Sequence, residues 1–321
     1  MKIITGACGF VGSSLVSFFN SHQIFDLILV DEFSNKKKNS NLIKKKYLFK
    51  VHRDGFLKWF DSNYMNVTEV YHLGARTNTL EGSEDVFNKL NLQFSKDLWK
   101  RCVQNKIPLI YASSAATYGN GSLGYSDNHA LLTKLIPLNA YAKSKHEFDL
   151  WVLEQLECPP FWAGLKFFNV YGPNEYHKGR MSSLILQSYK KILKHGSMKL
   201  FSSNHKDFED GEQSRDFIYI KDVVKVIHFL MQKKSNNGIY NVGTGCENKF
   251  SDLVLCVFKC LKLESRISYY KMPAQISINY QNFTKADIRK LKSVGYTSGF
   301  VKLSDGIEDY INHYLKRSSY L

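Results

Sequence analysis

The sequence predicts an α/β protein, a doubly wound parallel sheet with a smaller, mixed α/β domain attached to it. Three observations lead there. Short β-prone runs alternate with helical patterns through the first half, a glycine-spaced turn joins the first run to the first helix, and the alternation loosens near residue 170.

In chain order, the β-prone runs lie at 3–5, 27–30, 67–72, 107–112 and 162–168, and the helical patterns at 12–20, 85–105 and 140–156. Strands separated by helix-length segments pair in parallel, because each connection must cross back over a face of the sheet. After Tyr171-Gly172-Pro173 come a helix at 182–194, a strand at 199–201 and a polar, acidic loop at 202–214. A strand at 215–220, a helix at 221–232, a strand at 238–242 and helices at 251–261 and 302–316 complete the chain. This order assigns 1–169 to the sheet domain, with 215–245 returning to it. It assigns 170–214 and 246–321 mainly to the smaller, substrate-binding domain. A length of 321 residues with 44% hydrophobic content can bury a sizeable core, in two domains or one large one.

Lysine and arginine exceed aspartate and glutamate by 44 to 29, a formal charge of +15. The cations are spread along the chain, with dense runs at Lys36, Lys37 and Lys38 and at Lys44, Lys45 and Lys46, and no nucleic-acid-binding motif accompanies them. A positive surface of this kind draws in small anions, so the expected partner is an anionic small molecule and not a nucleic acid. The most apolar stretch, 253–263, is broken by Lys259 and Lys262, which argues against a membrane span. A chain that opens directly on Lys2-Ile3-Ile4-Thr5 leaves no room for a signal peptide, so a cytoplasmic location is expected. The six cysteines form no Cys-x2-Cys pair; Cys256 and Cys260, one helical turn apart, suit reduced core thiols. No histidine or carboxylate spacing suits a metal, and none is expected.

Gly6-Ala7-Cys8-Gly9-Phe10-Val11-Gly12 follows the first strand and opens the first helix. The first glycine permits the tight turn, the second lets the backbone approach a pyrophosphate, and the third lets the helix pack against the sheet. Main-chain N–H groups at a helix N-terminus then favour the anion. With Asp31 closing the second strand, the context predicts a Rossmann-like dinucleotide site. Asp31 and Glu32 suit the free 2′-hydroxyl of NAD, whereas Lys36, Lys37, Lys38 and Arg53 suit the 2′-phosphate of NADP; these residues leave both open.

Tyr141 and Lys145 form the one Tyr-x3-Lys pair among 19 tyrosines. On a helix, positions i and i+4 share a face. The pair follows a strand ending in Ser113-Ser114, at the carboxyl edge where α/β sheets place ligands. Oxidising a carbinol requires loss of its hydroxyl proton, and a tyrosine accepts it when a nearby ammonium favours the phenolate. Lys145 fits that part, and Ser114 fits a hydrogen bond to the reacting oxygen.

The glycine turn, the run Ser113-Ser114-Ala115-Ala116-Thr117-Tyr118-Gly119, the Tyr-x3-Lys pair, Phe168-Asn169-Val170-Tyr171-Gly172-Pro173, Arg215-Asp216-Phe217-Ile218-Tyr219 and Asn241-Val242-Gly243-Thr244-Gly245 together resemble the extended short-chain dehydrogenases/reductases that act on nucleotide sugars. Within that superfamily the segments 111–119 and 167–179, with Glu175-Tyr176-His177-Lys178-Gly179, and Phe283-Thr284-Lys285-Ala286-Asp287 resemble the ADP-L-glycero-D-manno-heptose 6-epimerases. The resemblance spans essentially the whole chain. It implies a homo-oligomer with bound NADP that inverts C6 of the heptose through a ketone, with Tyr141 and Lys178 as acid/base groups on opposite faces of the carbon. It implies cofactor contacts from Phe10, Val11, Asp31, Glu32, Lys38, Arg53, Leu73, Gly74, Ala75, Arg76, Thr77, Asn91, Lys145, Val170 and Lys178. For the substrate it implies Ser114, Asn169, Arg180, Gln187, Phe201, Ser202, Ser203, Asn204, Arg215 and Tyr280. Arg215 suits a diphosphate, which a guanidinium clamps with two parallel bonds. Glu32, beside the expected 2′-phosphate, and Gln187, where the family carries a histidine, depart from the pattern.

Other functions fit less well. A 4,6-dehydratase needs an Asp-Glu pair where Ala115 and Ala116 stand. A UDP-glucose-type 4-epimerase needs Ser114, Tyr141 and Lys145 and has no use for Lys178. A non-catalytic NAD(P)-sensing protein has no need of the Tyr141–Lys145 pair that this chain keeps.

Overall fold

Seven strands form one parallel sheet in the computed structural model, which describes residues 1–77, 84–204, 208–273 and 280–321. They are β1 (Lys2–Thr5), β2 (Leu27–Asp31), β3 (Phe49–His52), β4 (Glu69–His72), β5 (Leu109–Ser114), β6 (Trp162–Phe167) and β10 (Gly238–Val242), in the order β10-β6-β5-β4-β1-β2-β3. The chain starts in the middle, builds outward to β3, then restarts beside β1 with β4. Thr5 therefore pairs with Val30 on one side and His72 on the other, at the reversal where open α/β sheets bind ligands.

Adjacent side chains on each central strand enter opposite cores. Ile4, Leu29, Ile110 and Leu165 pack with helix α1 (Phe10–Ser21) and helix α9 (Ile220–Lys233). Ile3, Ile28, Leu109 and Trp162 pack with helix α3 (Arg53–Asn63), helix α5 (Phe94–Gln104) and helix α7 (Ala140–Leu153). Two buried faces explain why strands such as Leu27–Asp31 are buried at every position and read as continuous apolar runs.

The sequence reading missed β3 and α3. Three of the four β3 residues are exposed at the sheet edge, so the burial pattern that betrays a strand is absent there. Helix α3 buries only Phe56 and Phe60. The helix expected at 85–105 is instead α4 (Glu84–Phe87), a π-helical turn (Asn88–Gln93) and α5, and the last expected helix becomes Leu303–Asp309 followed by a π-helical turn, Tyr310–Leu315. Cys256 and Cys260 are free thiols, as expected, but half-buried at the margin of the core.

Two small sheets sit beside the large one. β9 (Ser214–Tyr219) pairs in parallel with β7 (Asn169–Tyr171) and antiparallel with β11 (Glu247–Lys249). β8 (Met198–Phe201) pairs in parallel with β12 (Ile267–Tyr270), and β10 continues the large sheet beside β6. The loop at 202–214 lies partly outside the described residues, at 205–207. Among the described residues no helix is long and apolar enough to cross a membrane, and no group of three or more His, Cys, Asp or Glu side chains is placed to hold a metal ion.

Candidate active site

Two cavities open at the carboxyl end of the sheet. The larger, about 1140 Å³, runs along the glycine turn and the ends of β1, β2 and β4; the smaller, about 570 Å³, lies under α8 (Leu184–His195), β8 and β9. Thr77, Ser114, Tyr141, Phe168, Val170, Lys178 and Met181 line both, so one partition separates them.

The larger cavity is shaped for a dinucleotide. Gly6 adopts φ +65°, and a Cβ at Gly12 would run into the Gly6 carbonyl, so the turn closes only with glycine at both positions. Asp31, buried at the end of β2, accepts from the Cys8 main-chain N–H at 2.9 Å and from the Glu32 N–H at 2.8 Å. Its Oδ1 also pairs with Lys38 Nζ at 2.6 Å. Gly6, Gly9, Phe10, Val11, Gly12, Asp31, Glu32, Lys38, Arg53, Leu73, Gly74, Ala75, Arg76, Thr77, Lys145, Val170 and Lys178 all line this cavity. The turn, the N-terminus of α1 and the cations at one end match the parts of a nicotinamide dinucleotide in size and charge.

Asn91 lines neither cavity. From the π-helical turn its Oδ1 accepts from the Arg76 N–H at 2.7 Å, and its Nδ2 donates to the Arg76 carbonyl at 3.0 Å and to Ser144 Oγ at 3.1 Å. It therefore fastens the 73–77 segment to α7 from behind.

Tyr141 and Lys145 project from one face of α7, whose first turn is capped by Asn139 accepting from the Ala142 N–H at 2.9 Å. Burial pushes the Tyr141 phenol up, a hydrogen bond with Ser114 draws it down, and Asp149 raises it further. Lys145 is 2% exposed; burial lowers it to about 8, against the opposing pull of Asp149. Next to it His72 bridges Thr5 Oγ1 (2.7 Å) and Ser95 Oγ (2.8 Å), and burial followed by the Lys145 charge lowers it to about 3. The ring is neutral and acts as a spacer between β4, β1 and α5.

The sequence reading missed a buried ion pair beneath Ser114. Asp149 accepts from Lys166 Nζ at 2.6 Å, Ser113 Oγ at 2.7 Å and the Tyr111 hydroxyl at 3.1 Å, and Lys166 also donates to Thr117 Oγ1 at 2.6 Å. Both ion-pair side chains are fully buried. An acid two turns beyond Tyr141 on the same helix was the available signal.

Lys178 reaches both cavities from the 3₁₀ segment Tyr176–Met181. Its Nζ lies 5.4 Å from the centre of the Phe10 ring, and burial lowers it while Glu175 opposes. Glu175 is fully buried and accepts from Ser183 Oγ at 2.6 Å, the Ser183 N–H at 2.5 Å and the Gly172 N–H at 3.3 Å. Burial raises this carboxyl despite those bonds.

Asn169, Gln187, Phe201, Arg215 and Tyr280 line the smaller cavity. Arg215 is held between the Phe250 and Tyr280 rings, 5.5 and 5.4 Å from their centres. Lys191 and Lys199 line it as well and were not anticipated. Arg180 faces the larger cavity. Ser202, Ser203 and Asn204 line neither; they continue β8 past Phe201, where the Ser202 N–H bonds the Tyr270 carbonyl at 2.8 Å and the Ser203 N–H bonds Asp210 at 2.7 Å.

A glycine turn, a Ser–Tyr–Lys set and a second cavity lined by Arg215, Lys191 and Lys199 are the parts of a nucleotide-sugar enzyme that works through a nicotinamide. The model of the NAD dependent epimerase/dehydratase family matches residues 2–243, and the chain belongs to that family. Within it the chain is an epimerase, an isomerase acting on nucleotide sugars. It is 44% identical over 317 residues to the ADP-L-glycero-D-manno-heptose-6-epimerase of Nitratidesulfovibrio vulgaris (strain DP4), covering 98% of each chain. It is 41% identical over 332 residues to the enzyme of the same name from Fusobacterium nucleatum, covering 100% of both. The crystal structure of Helicobacter pylori ADP-L-glycero-D-manno-heptose-6-epimerase superposes with a TM-score of 0.83 at 28% identity, over 97% of this chain and 95% of that one.

Proposed function

We infer that the protein inverts C6 of ADP-D-glycero-D-manno-heptose, giving the L-glycero epimer, with NADP as its cofactor. The observation that carries the reading is the partition, where Tyr141 and Ser114 come from the sheet and α7 and Lys178 comes from the far loop. A nicotinamide in the larger cavity supplies hydride acceptance and return. Ser114 and Tyr141 hold the carbinol oxygen and move its proton. Lys145, one helical turn on from Tyr141, would hold the ribose. Lys178, its ammonium made easier to deprotonate by burial, serves the opposite face. Reversing a stereocentre through a planar ketone requires proton traffic from both sides, and two groups answer that need. Arg215, Lys191 and Lys199 give the smaller cavity the charge a diphosphate requires.

The pairing of Asp31 with Lys38 supports NADP. Lys38 offsets the Asp31 carboxylate and Arg53 lies on the same cavity wall, which leaves Glu32 as the acid there that disfavours a 2′-phosphate. In this reading residues 1–169, with 215–245, form the cofactor domain, and 170–214 and 246–321 mainly the substrate domain, from which Lys178 reaches the cofactor cavity. We also infer a cytoplasmic homo-oligomer. The test is incubation of purified protein with ADP-D-glycero-D-manno-heptose while C6 configuration is followed by NMR. The nucleotide released on mild denaturation is identified by mass. Inversion at C4 of a UDP-hexose with C6 of the heptose untouched would favour the 4-epimerase reading.

A further inference from the structure

We propose that Asn41 is a positioning residue for Lys178: its buried side-chain amide ties the loop that carries this lysine to the glycine turn that cradles the dinucleotide. The inference rests on the two-base reading above.

Asn41 follows the lysine-rich segment after β2 and is 0% exposed. Its Nδ2 donates to the Cys8 carbonyl at 3.0 Å and to the Asn174 carbonyl at 2.9 Å, and lies 3.2 Å from His177 Nδ1. Cys8 sits inside the glycine turn, and Asn174 and His177 flank the start of the Lys178 loop. Asn174 reaches back in the same direction. It holds φ +76°, which asparagine tolerates better than most residues, and its Nδ2 donates to Ser13 Oγ on α1 at 3.0 Å. Glu175 anchors the loop at its other end, on Ser183. Between these anchors the chain makes one short turn, with the Lys178 N–H on the Glu175 carbonyl at 3.0 Å and Gly179 at φ +54°.

The lysine loop is thus seated on the cofactor half by two amides, and only a double donor joins two carbonyls in this way. An aspartate at position 41 would set a carboxylate against two carbonyl oxygens with nothing to donate. A leucine would fill the space and donate nothing. Either releases the Asn174–His177 end of the loop while Tyr141, Ser114 and Lys145 stay in place.

The holoenzyme tests this through kcat and KM for heptose inversion in Asn41→Asp and Asn41→Leu, alone and combined with Lys178→Met. The expected result is a kcat lowered tenfold or more, a KM within about twofold and one cofactor retained per chain. In the Lys178→Met background the residual rate should change less than twofold, because the lysine that Asn41 serves is already gone. Should Asn41→Asp not fold, Asn41→Ser is measured in its place, since it cannot span both carbonyls. An unchanged kcat overturns the proposal. So does a double variant slowed by the product of the two single effects, or a loss confined to cofactor content. Normal inversion by Lys178→Met instead removes the two-base reading itself, which separates the two failures.

Discussion

At the scale of single residues, the partition sets two opposed demands on burial. Burial raises the Tyr141 phenol, and the Ser114 hydrogen bond draws it back towards the phenolate that the proposed reading needs to accept the carbinol proton. Burial lowers the Lys178 ammonium, the opposite direction, which suits the second acid/base part proposed for it. Replacing either with an inert group of similar shape, Tyr141→Phe or Lys178→Met, is expected to cut inversion by about 100-fold or more while circular dichroism stays unchanged. Normal turnover by both would end the assignment. Lys145 illustrates the cost of such a site. Lowered to about 8, it binds its proton less well folded than unfolded, so stability should rise as pH climbs from about 8 towards 10.5. Below that window the full penalty applies, and Lys145→Met should stabilise the cofactor-free protein at pH 7 by about 3 kcal/mol while abolishing activity. Urea titrations at pH 7 and pH 10 check both signs. Tyr141 and Lys145 were legible in sequence because their spacing is itself the geometry. Lys178 had no such spacing, and only the surrounding motif drew attention to it.

At the scale of elements, two short devices hold the chemistry in place. The π-helical turn aims Asn91 at both the Arg76 main chain and Ser144, and Asn91→Ala should cost about 1–3 kcal/mol by leaving buried groups unpaired. Ser183 caps α8 by accepting from the Leu186 N–H at 3.2 Å and also donates to Glu175. Ser183→Ala should cost about 1–2 kcal/mol through the lost cap. It should also lower kcat, because Glu175 loosens beside Lys178; a melting temperature and kcat both at wild-type values would contradict this. Strands buried on both faces announced themselves as apolar runs. Edge strand β3 did not, because exposed Phe49, Lys50 and His52 carry no periodic burial. A π-helical turn adds one residue to a helical ring without changing composition, so the pattern at 85–105 looked uninterrupted.

At the scale of the molecule, acid is the expected weakness. Burial lowers His72 to about 3 and His129 and His177 to about 4, and it also lowers His146 and His228. Each of these binds its proton in the unfolded chain first, so stability should fall as pH drops from about 6.5 towards 4. Raised carboxyls at Asp127, Glu175 and Asp216 work in the other direction. The lowered carboxyls of Asp61, Glu247, Asp287 and Asp309 act in the same direction as the rings, so a net loss on acidification is expected, and a melting temperature that held steady or rose from pH 7 to 4 would show the balance to be otherwise. The order of the seven strands follows from crossover rules that the sequence obeys, and with it the place of the cofactor cavity. The small sheets were less visible. Two of their strands, Asn169–Tyr171 and Glu247–Lys249, are three residues long, too short for a period to declare itself.

The shared wall between the cavities also fixes the fate of an isotope. In the proposed reading a hydride taken from the sugar where the two cavities meet would return to the carbon it left, because hydrogen carried on a nicotinamide ring carbon does not exchange with water. Deuterium placed on the inverting carbon should therefore survive many turnovers in light water, and one nucleotide should serve a long succession of sugars with no second enzyme to regenerate it.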